Sequence, residues 1–192
     1  MSSTGVLVVS ATEGEAAHVP GGLDIVITRM GKVAAAVAVT RALAQYPPGN
    51  PPLVINIGTA GALHPHHSGL YVPSKVLNHD ISSEILLSAL HHRVVDSIDL
   101  EDGDGTVLAT GDAYISDEET RDALAARADL VDMEGFSIAF ACAQFGARCR
   151  LVKYVSDNAD DSAMDWLSQV DTSARALGAW LEQELELELE RD

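Results

Sequence analysis

Asp129-Leu130-Val131-Asp132-Met133-Glu134-Gly135 and, about twenty residues later, Arg150-Leu151-Val152-Lys153-Tyr154-Val155-Ser156-Asp157 decide the reading of this chain. Asp129–Asp132 reads as a short strand. From Glu134 to Phe145, the residues Phe136, Ile138, Ala139, Ala141, Cys142 and Phe145 make a helix that is apolar nearly all round, which predicts a buried one. Gly146 stops it. Arg150–Val155 reads as the next strand, with Ser156 and Asp157 at its carboxyl end. Ligands in open α/β sheets gather at that edge. Each half sets a carboxylate among apolar neighbours, and Glu134 stands at a helix start, where the macrodipole favours negative charge. Buried carboxylates without partners are costly, so the two point to chemistry. One could hold a sugar while the other gives a proton to a leaving group, which is the division of labour that breaks a glycosidic bond.

The same alternation runs outward. Gly5–Ser10 is a fully apolar strand, as expected inside a covered sheet, and Ala11–Glu15 is its turn. Leu23–Thr28 is a second strand. Met30-Gly31-Lys32 turns into an Ala-rich helix over about Val33–Gln45, which Tyr46-Pro47-Pro48-Gly49-Asn50-Pro51-Pro52 ends. Leu53–Ile57 is a central strand, and Gly58-Thr59-Ala60-Gly61-Ala62 reads as a small-residue loop where a backbone can approach a ligand. Strands are expected near Leu70–Leu77, near His92–Ile98 and over Thr106–Thr110. A helix follows from Asp117 to about Ala128. A long acidic helix from Ser162 to Glu190 closes the chain. Its tail Leu185–Glu190 alternates like a strand, but Leu and Glu are helix formers.

Residue content bounds the answer. At 192 residues the chain is read as one domain, 1–192, and its 47% apolar content excludes a disordered protein. No apolar run reaches membrane-spanning length. The polar start, Met1–Gly5, carries no visible signal peptide, so a cytoplasmic protein is expected. A net charge of −17 with three lysines repels nucleic acid and anionic membranes and suits a neutral or zwitterionic small molecule. Cys142 and Cys149 read as reduced thiols, a disulfide being the alternative. His64, His66 and His67 read as a solvated loop rather than a metal site. Glu101–Gly105 reads as a hairpin turn, too short for a calcium loop.

Six segments, in order, resemble the bacterial 5′-methylthioadenosine/S-adenosylhomocysteine nucleosidases of the nucleoside phosphorylase superfamily. They are Ala11–Glu15, Met30–Ala36, Ile55–Leu63, Ala109–Ile115, Val131–Gly135 and Ser156–Asp160. The resemblance implies an α/β fold with a mixed, partly barrel-like central sheet flanked by helices. It implies hydrolysis of an adenine nucleoside with no metal or organic cofactor, in a homodimer whose second subunit helps close the 5′ side of the site. It assigns Asp157 as the general acid on purine N7, Ser156 as its orienting partner and Glu15 as the group that orients or activates water. Glu134 would bind the ribose hydroxyls and Met133 would line the sugar. Tyr114 would stack on the base, where a core aromatic is the equal alternative, and the Ile115 backbone would read its edge. Thr59 would approach the water or the ribose, and Met30 would join the substrate-binding set.

The chain also departs from that pattern. About fifteen residues separate Glu15 from Met30, where the family usually adds a hairpin. The segment after His79-Asp80 is short, and Lys153 stands where the family commonly carries arginine. These changes leave the 5′ substituent open. Two other functions compete: a phosphorylase attacking with phosphate, and a nucleoside-binding module without turnover. Phosphate needs cationic partners, and the first half of the chain offers only Arg29, Arg41 and Arg93 as arginines.

Overall fold

The computed structural model describes residues 5–159 and 166–191. The strands are β1 (Val6–Ser10), β2 (Asp24–Ile27), β3 (Leu53–Ala62), β4 (Leu70–Tyr71), β5 (Lys75–Asn78), β6 (Ser97–Asp99), β7 (Val107–Thr110), β8 (Leu130–Asp132) and β9 (Cys149–Asp157). The helices are α1 (Lys32–Leu43), α2 (Ser83–Leu90), α3 (Glu118–Ala125), α4 (Gly135–Phe145) and α5 (Trp166–Arg191). The strands join in one mixed sheet of order β2-β1-β3-β8-β7-β5-β6, with β9 beside β3 and β4 beside β9. The expected start of the last helix at Ser162 lies outside the described residues. Its alternating tail is helical, as the propensities of Leu and Glu require.

Alternation along the buried strands sorts the core into two faces. Leu7 and Val9 of β1 join Val54, with Ala35, Val39 and Leu43 of α1 and Ile138, Ala141 and Cys142 of α4. The three α1 residues recur at four-residue spacing, so one stripe of that helix lies on α4 and the sheet. Val6 and Val8 point the other way, with Ile55, Ile57 and Val152, and Leu177 and Leu181 of α5 cover them. Helices on both faces explain why β1 reads as an uninterrupted apolar run. The helix α4 begins and ends as the sequence predicts, with Gly146 in the left-handed conformation at its C-terminus.

Two expectations are corrected. Gly58–Ala62 is not a loop: β3 continues through it to Ala62, paired with β9 and then also with β8, with a register shift between Ala60 and Gly61. Small residues are needed there because strands crowd both sides. A side chain at Gly61 would start 3.0 Å from both Ala159 Cβ and Asp157 Oδ1, and 3.2 Å from Val131 Cγ1. The region between Leu70 and Ile98 holds two short strands and a third at Ser97–Asp99, plus the unforeseen helix α2. None of the residues of α2 is buried.

Candidate active site

The sheet leaves a gap at its middle. The strand β1 pairs with β3 only as far as Asn56, and β8 pairs with β3 only from Gly61. Between those points β3 keeps β9 on one edge, while the other edge opens into a cleft. The cleft encloses about 640 Å³ of space when its open mouth is included. It gathers the carboxyl ends of β1, β7, β8 and β9, which is where such folds bind ligands.

Glu15 fills the gap on β3. Its Oε1 accepts from the Thr59 backbone N–H at 2.8 Å and the Thr59 hydroxyl at 2.9 Å. Its Oε2 accepts from the Thr12 hydroxyl at 2.9 Å and the Thr12 N–H at 3.2 Å. A carboxylate has about four acceptor sites, so this one is held rigidly at the floor of the cleft. The Thr59 hydroxyl, which donates to Glu15, retains the capacity to accept from a water.

The next group is a knot of buried charge. Asp132 and Glu134 are 6% and 8% exposed, and Lys153 between them is 1% exposed. Lys153 Nζ lies 2.9 Å from Asp132 Oδ2. Asp132 also accepts from the Gly135 N–H at 2.9 Å, capping α4, and from the Thr110 hydroxyl at 2.5 Å. Burial alone would lower the Lys153 pKa, but the charges of Asp132, Glu134 and Glu15 outweigh it and hold the ammonium above its usual range. Glu134 has no such saturation. Its Oε1 accepts from the Gly31 N–H at 2.8 Å, at the start of α1 rather than of its own helix. Burial first, then the Asp132 charge, push its pKa to about 7, against the opposing pull of Lys153 and the Gly31 N–H.

Asp157 closes the other side. Ser156 Oγ donates to its Oδ2 at 2.7 Å, and the Ala159 N–H donates to its Oδ1 at 2.9 Å, fixing the plane of the carboxyl group. Tyr114 is partly exposed at the mouth; burial and then the Asp157 charge raise its phenol above its usual range. Ile115 is buried beside it with Leu124 and Ala128.

All nine residues singled out in the sequence line this cleft: Glu15, Met30, Thr59, Tyr114, Ile115, Met133, Glu134, Ser156 and Asp157. Two groups were not assigned roles. Asp132 and Lys153 form the buried ion pair beneath Glu134, and a lone lysine inside the apolar run Leu151–Val155 was the signal that could have found it. Cys142 and Cys149 are free thiols. The rings of His64, His66 and His67 cluster together, with His67 edge-on to Tyr71, and among the described residues no three potential ligands are placed to hold a metal ion. Among those residues no helix is long and apolar enough to cross a membrane.

The family model described as Phosphorylase superfamily matches residues 4–101 and 87–183. The chain belongs to the phosphorylase superfamily. Within that superfamily it is 37% identical over 81 residues to the aminodeoxyfutalosine nucleosidase of Helicobacter pylori strain J99, a stretch covering 40% of this chain and 34% of that protein. It is 28% identical over 177 residues to the 5′-methylthioadenosine/S-adenosylhomocysteine nucleosidase of Shewanella sp. strain W3-18-1, covering 78% of this chain and 75% of that one. Among solved structures, this superfamily member is similar to the 5′-methylthioadenosine/S-adenosyl homocysteine nucleosidase of Helicobacter pylori. The TM-score is 0.81 at 22% identity, covering 94% of this chain and 97% of that one. A futalosine hydrolase mutant of Helicobacter pylori strain 26695 gives 0.82 at 22% identity, covering 94% of this chain and 98% of that one. At that identity the structural likeness establishes the fold.

Proposed function

We propose that the whole chain is one N-ribosyl hydrolase domain that cleaves the glycosidic bond of a 5′-substituted adenosine and releases free adenine. One observation carries this reading. Glu15, Glu134 and Asp157 face a single cleft, and among the described residues that line it there is no lysine or arginine. Breaking a glycosidic bond develops positive charge on the sugar, which carboxylates stabilise. A phosphate nucleophile would instead meet four acids, Asp132 included, and no cation among the described lining residues. Lys153 is near, but it is engaged by Asp132. The similar proteins act on 5′-methylthioadenosine, S-adenosylhomocysteine and aminodeoxyfutalosine, and these are the substrate candidates.

The roles proposed here are those that the family resemblance implies, and the positions of the side chains support them. Asp157, with its plane fixed by Ser156 and Ala159, protonates N7 of the base and so improves the leaving group. Glu134 accepts from the ribose hydroxyls with the capacity that Gly31 leaves free. Water sits on the Thr59 hydroxyl and is directed by Glu15 behind it. Tyr114 covers the base, the Ile115 backbone reads its edge, and Met133 and Met30 line the sugar and its 5′ side. The test is a panel of adenosine, 2′-deoxyadenosine, 5′-methylthioadenosine, S-adenosylhomocysteine and aminodeoxyfutalosine, monitored for free adenine. Release from at least one 5′-substituted member is expected. Inertness toward all of them would leave a binding module.

A pH dependence follows. Only ionised Glu134 stabilises the cationic sugar, and its pKa is pushed to about 7. Raised in this direction, it carries its proton through mildly acidic pH and loses it above about 7. The kcat/KM for base release should therefore fall about tenfold per unit as pH drops below that point. A pH–rate profile checks this, and a flat acid side would remove the Glu134 charge from the mechanism.

The reading includes a homodimer. Met30, Val33 and Val37 are 51%, 75% and 54% exposed beside the cleft mouth, and Ile85, Leu87 and Leu90 of α2 are 64%, 46% and 66% exposed. Exposed apolar patches of this kind mark contact surfaces, and two-fold dimers are the commonest assembly. Light scattering should give twice the 20.3 kDa chain mass; a monomer alone would count against the dimer. The two unbridged cysteines fit the reducing cytoplasm.

A further inference from the structure

We propose that Asp80, Lys32 and Asp112, all outside the cleft lining, act together as positioning residues that aim the Gly31 N–H at Glu134. The three form a closed circuit joining the ends of β5, β7 and α1. Asp80 Oδ2 accepts from the Asp112 N–H at 2.9 Å. Asp112 Oδ1 accepts from the Lys32 N–H at 2.8 Å. The Lys32 ammonium returns to Asp80 Oδ1 and also donates to Asn78 Oδ1 at 3.1 Å. The residue before Lys32 is Gly31, whose N–H donates to Glu134 at 2.8 Å. The residues after Asp112 are Ala113, Tyr114 and Ile115 of the cleft wall. One carboxylate, Asp80, thus ties the sugar side of the site to its base side.

The segment so held does not hold itself. Arg29 has φ 69°, a backbone that L residues rarely adopt and that persists only where its surroundings over-determine it, and Gly31 has φ 96°, which glycine permits without holding it there. On the near side, Arg29 N–H donates to Ala11 O at 3.1 Å and Thr28 N–H to Ser10 O at 2.9 Å. On the far side, the circuit supplies the anchor. Asp112 packs close on Gly31: a Cβ there would start 3.3 Å from Asp112 Oδ1.

The consequence reaches Glu134 through its charge. Asp132 on β8, Lys153 on β9, Glu15 after β1 and the α1 terminus all act on it. Of these, the Gly31 N–H is the one the circuit controls, and it favours the anion. Loosening the circuit therefore disfavours ionisation of Glu134. Removing the Asp80 charge would, by Coulomb's law alone, favour ionisation. The two effects have opposite signs, which separates positioning from simple electrostatics.

The inference rests on Glu134 as the ribose carboxylate, and two measurements keep the two ideas apart. In Asp80→Ala, the acid limb of kcat/KM should move up by about one pH unit, the scale of one hydrogen bond to a charged group. At high pH the rate should approach that of the parent. A limb that stays in place or moves down overturns the proposal. Independently of activity, hydrogen exchange at the Gly31 amide should quicken by about tenfold or more in Asp80→Ala and in Lys32→Met. Unchanged protection in both overturns the proposal, even if catalysis is intact. If the parent releases no purine, the functional reading fails and the exchange result still decides the circuit. Should Asp80→Ala fail to fold, Lys32→Met carries the exchange measurement.

Discussion

Asp157→Asn should lose about 10²-fold or more in kcat while binding nucleoside almost as well as the parent. The amide cannot give up a proton to the leaving base, so its cost falls on the chemical step. The geometry makes the substitution otherwise mild. Asp157 Oδ1 accepts from the Ala159 N–H and Oδ2 from the Ser156 hydroxyl. An amide can keep both contacts, its oxygen accepting from Ala159 and its NH₂ donating to Ser156 Oγ, because a hydroxyl accepts as well as donates. Steady-state kinetics with a direct binding titration separate the two effects. A variant turning over near the parent rate would remove Asp157 as the acid.

Glu134→Gln should lose about 10²-fold in kcat on ribonucleosides, the scale of removing one aimed charge from a transition state. It should lose less on 2′-deoxyribonucleosides, which lack one of the hydroxyls that Glu134 would bind. The fold should not suffer. Burial pushes the Glu134 pKa to about 7 because the site penalises the charge, and a neutral amide removes that penalty while still accepting from the Gly31 N–H. Tm should therefore hold or rise as activity falls. Equal losses on both sugars would mean that Glu134 does not read the 2′-hydroxyl. Unchanged kcat on both would reduce it to a helix-terminal acid.

Much of the fold and the site is legible in the sequence, for a physical reason. The strands β1 and β9 and the helix α4 are covered on most sides, so their apolar runs record burial within this same chain. The site residues sit at the ends of those elements, where polar groups interrupt the apolar pattern, so Glu134 and Asp157 stood out. What failed to read depends on neighbours distant in sequence. Gly58–Ala62 looked like a loop because small residues usually mark one; here they let β3 fit between Val131 and Asp157. The helix α2 is illegible in the sequence because none of its leucines nor its isoleucine is fully buried, and Ile85, Leu87 and Leu90 are exposed, so their spacing answers to no core. The sequence places Glu134 under its own helix dipole, whereas Asp132 caps α4 and Glu134 reaches across to α1. Lys153 alone in its apolar run signals a buried partner, but its pairing with Asp132 is invisible locally, since the two lie on separate strands, β9 and β8.

The most direct test of hydrolysis by three carboxylates is the phosphate dependence of base release. With 5′-methylthioadenosine in rigorously phosphate-free buffer, free adenine should appear together with a reducing sugar. Adding phosphate should leave the rate unchanged, because the cleft offers water an acid-lined place and offers phosphate no cation. Base release that begins only when phosphate is added, with the sugar leaving as its 1-phosphate, would contradict the account.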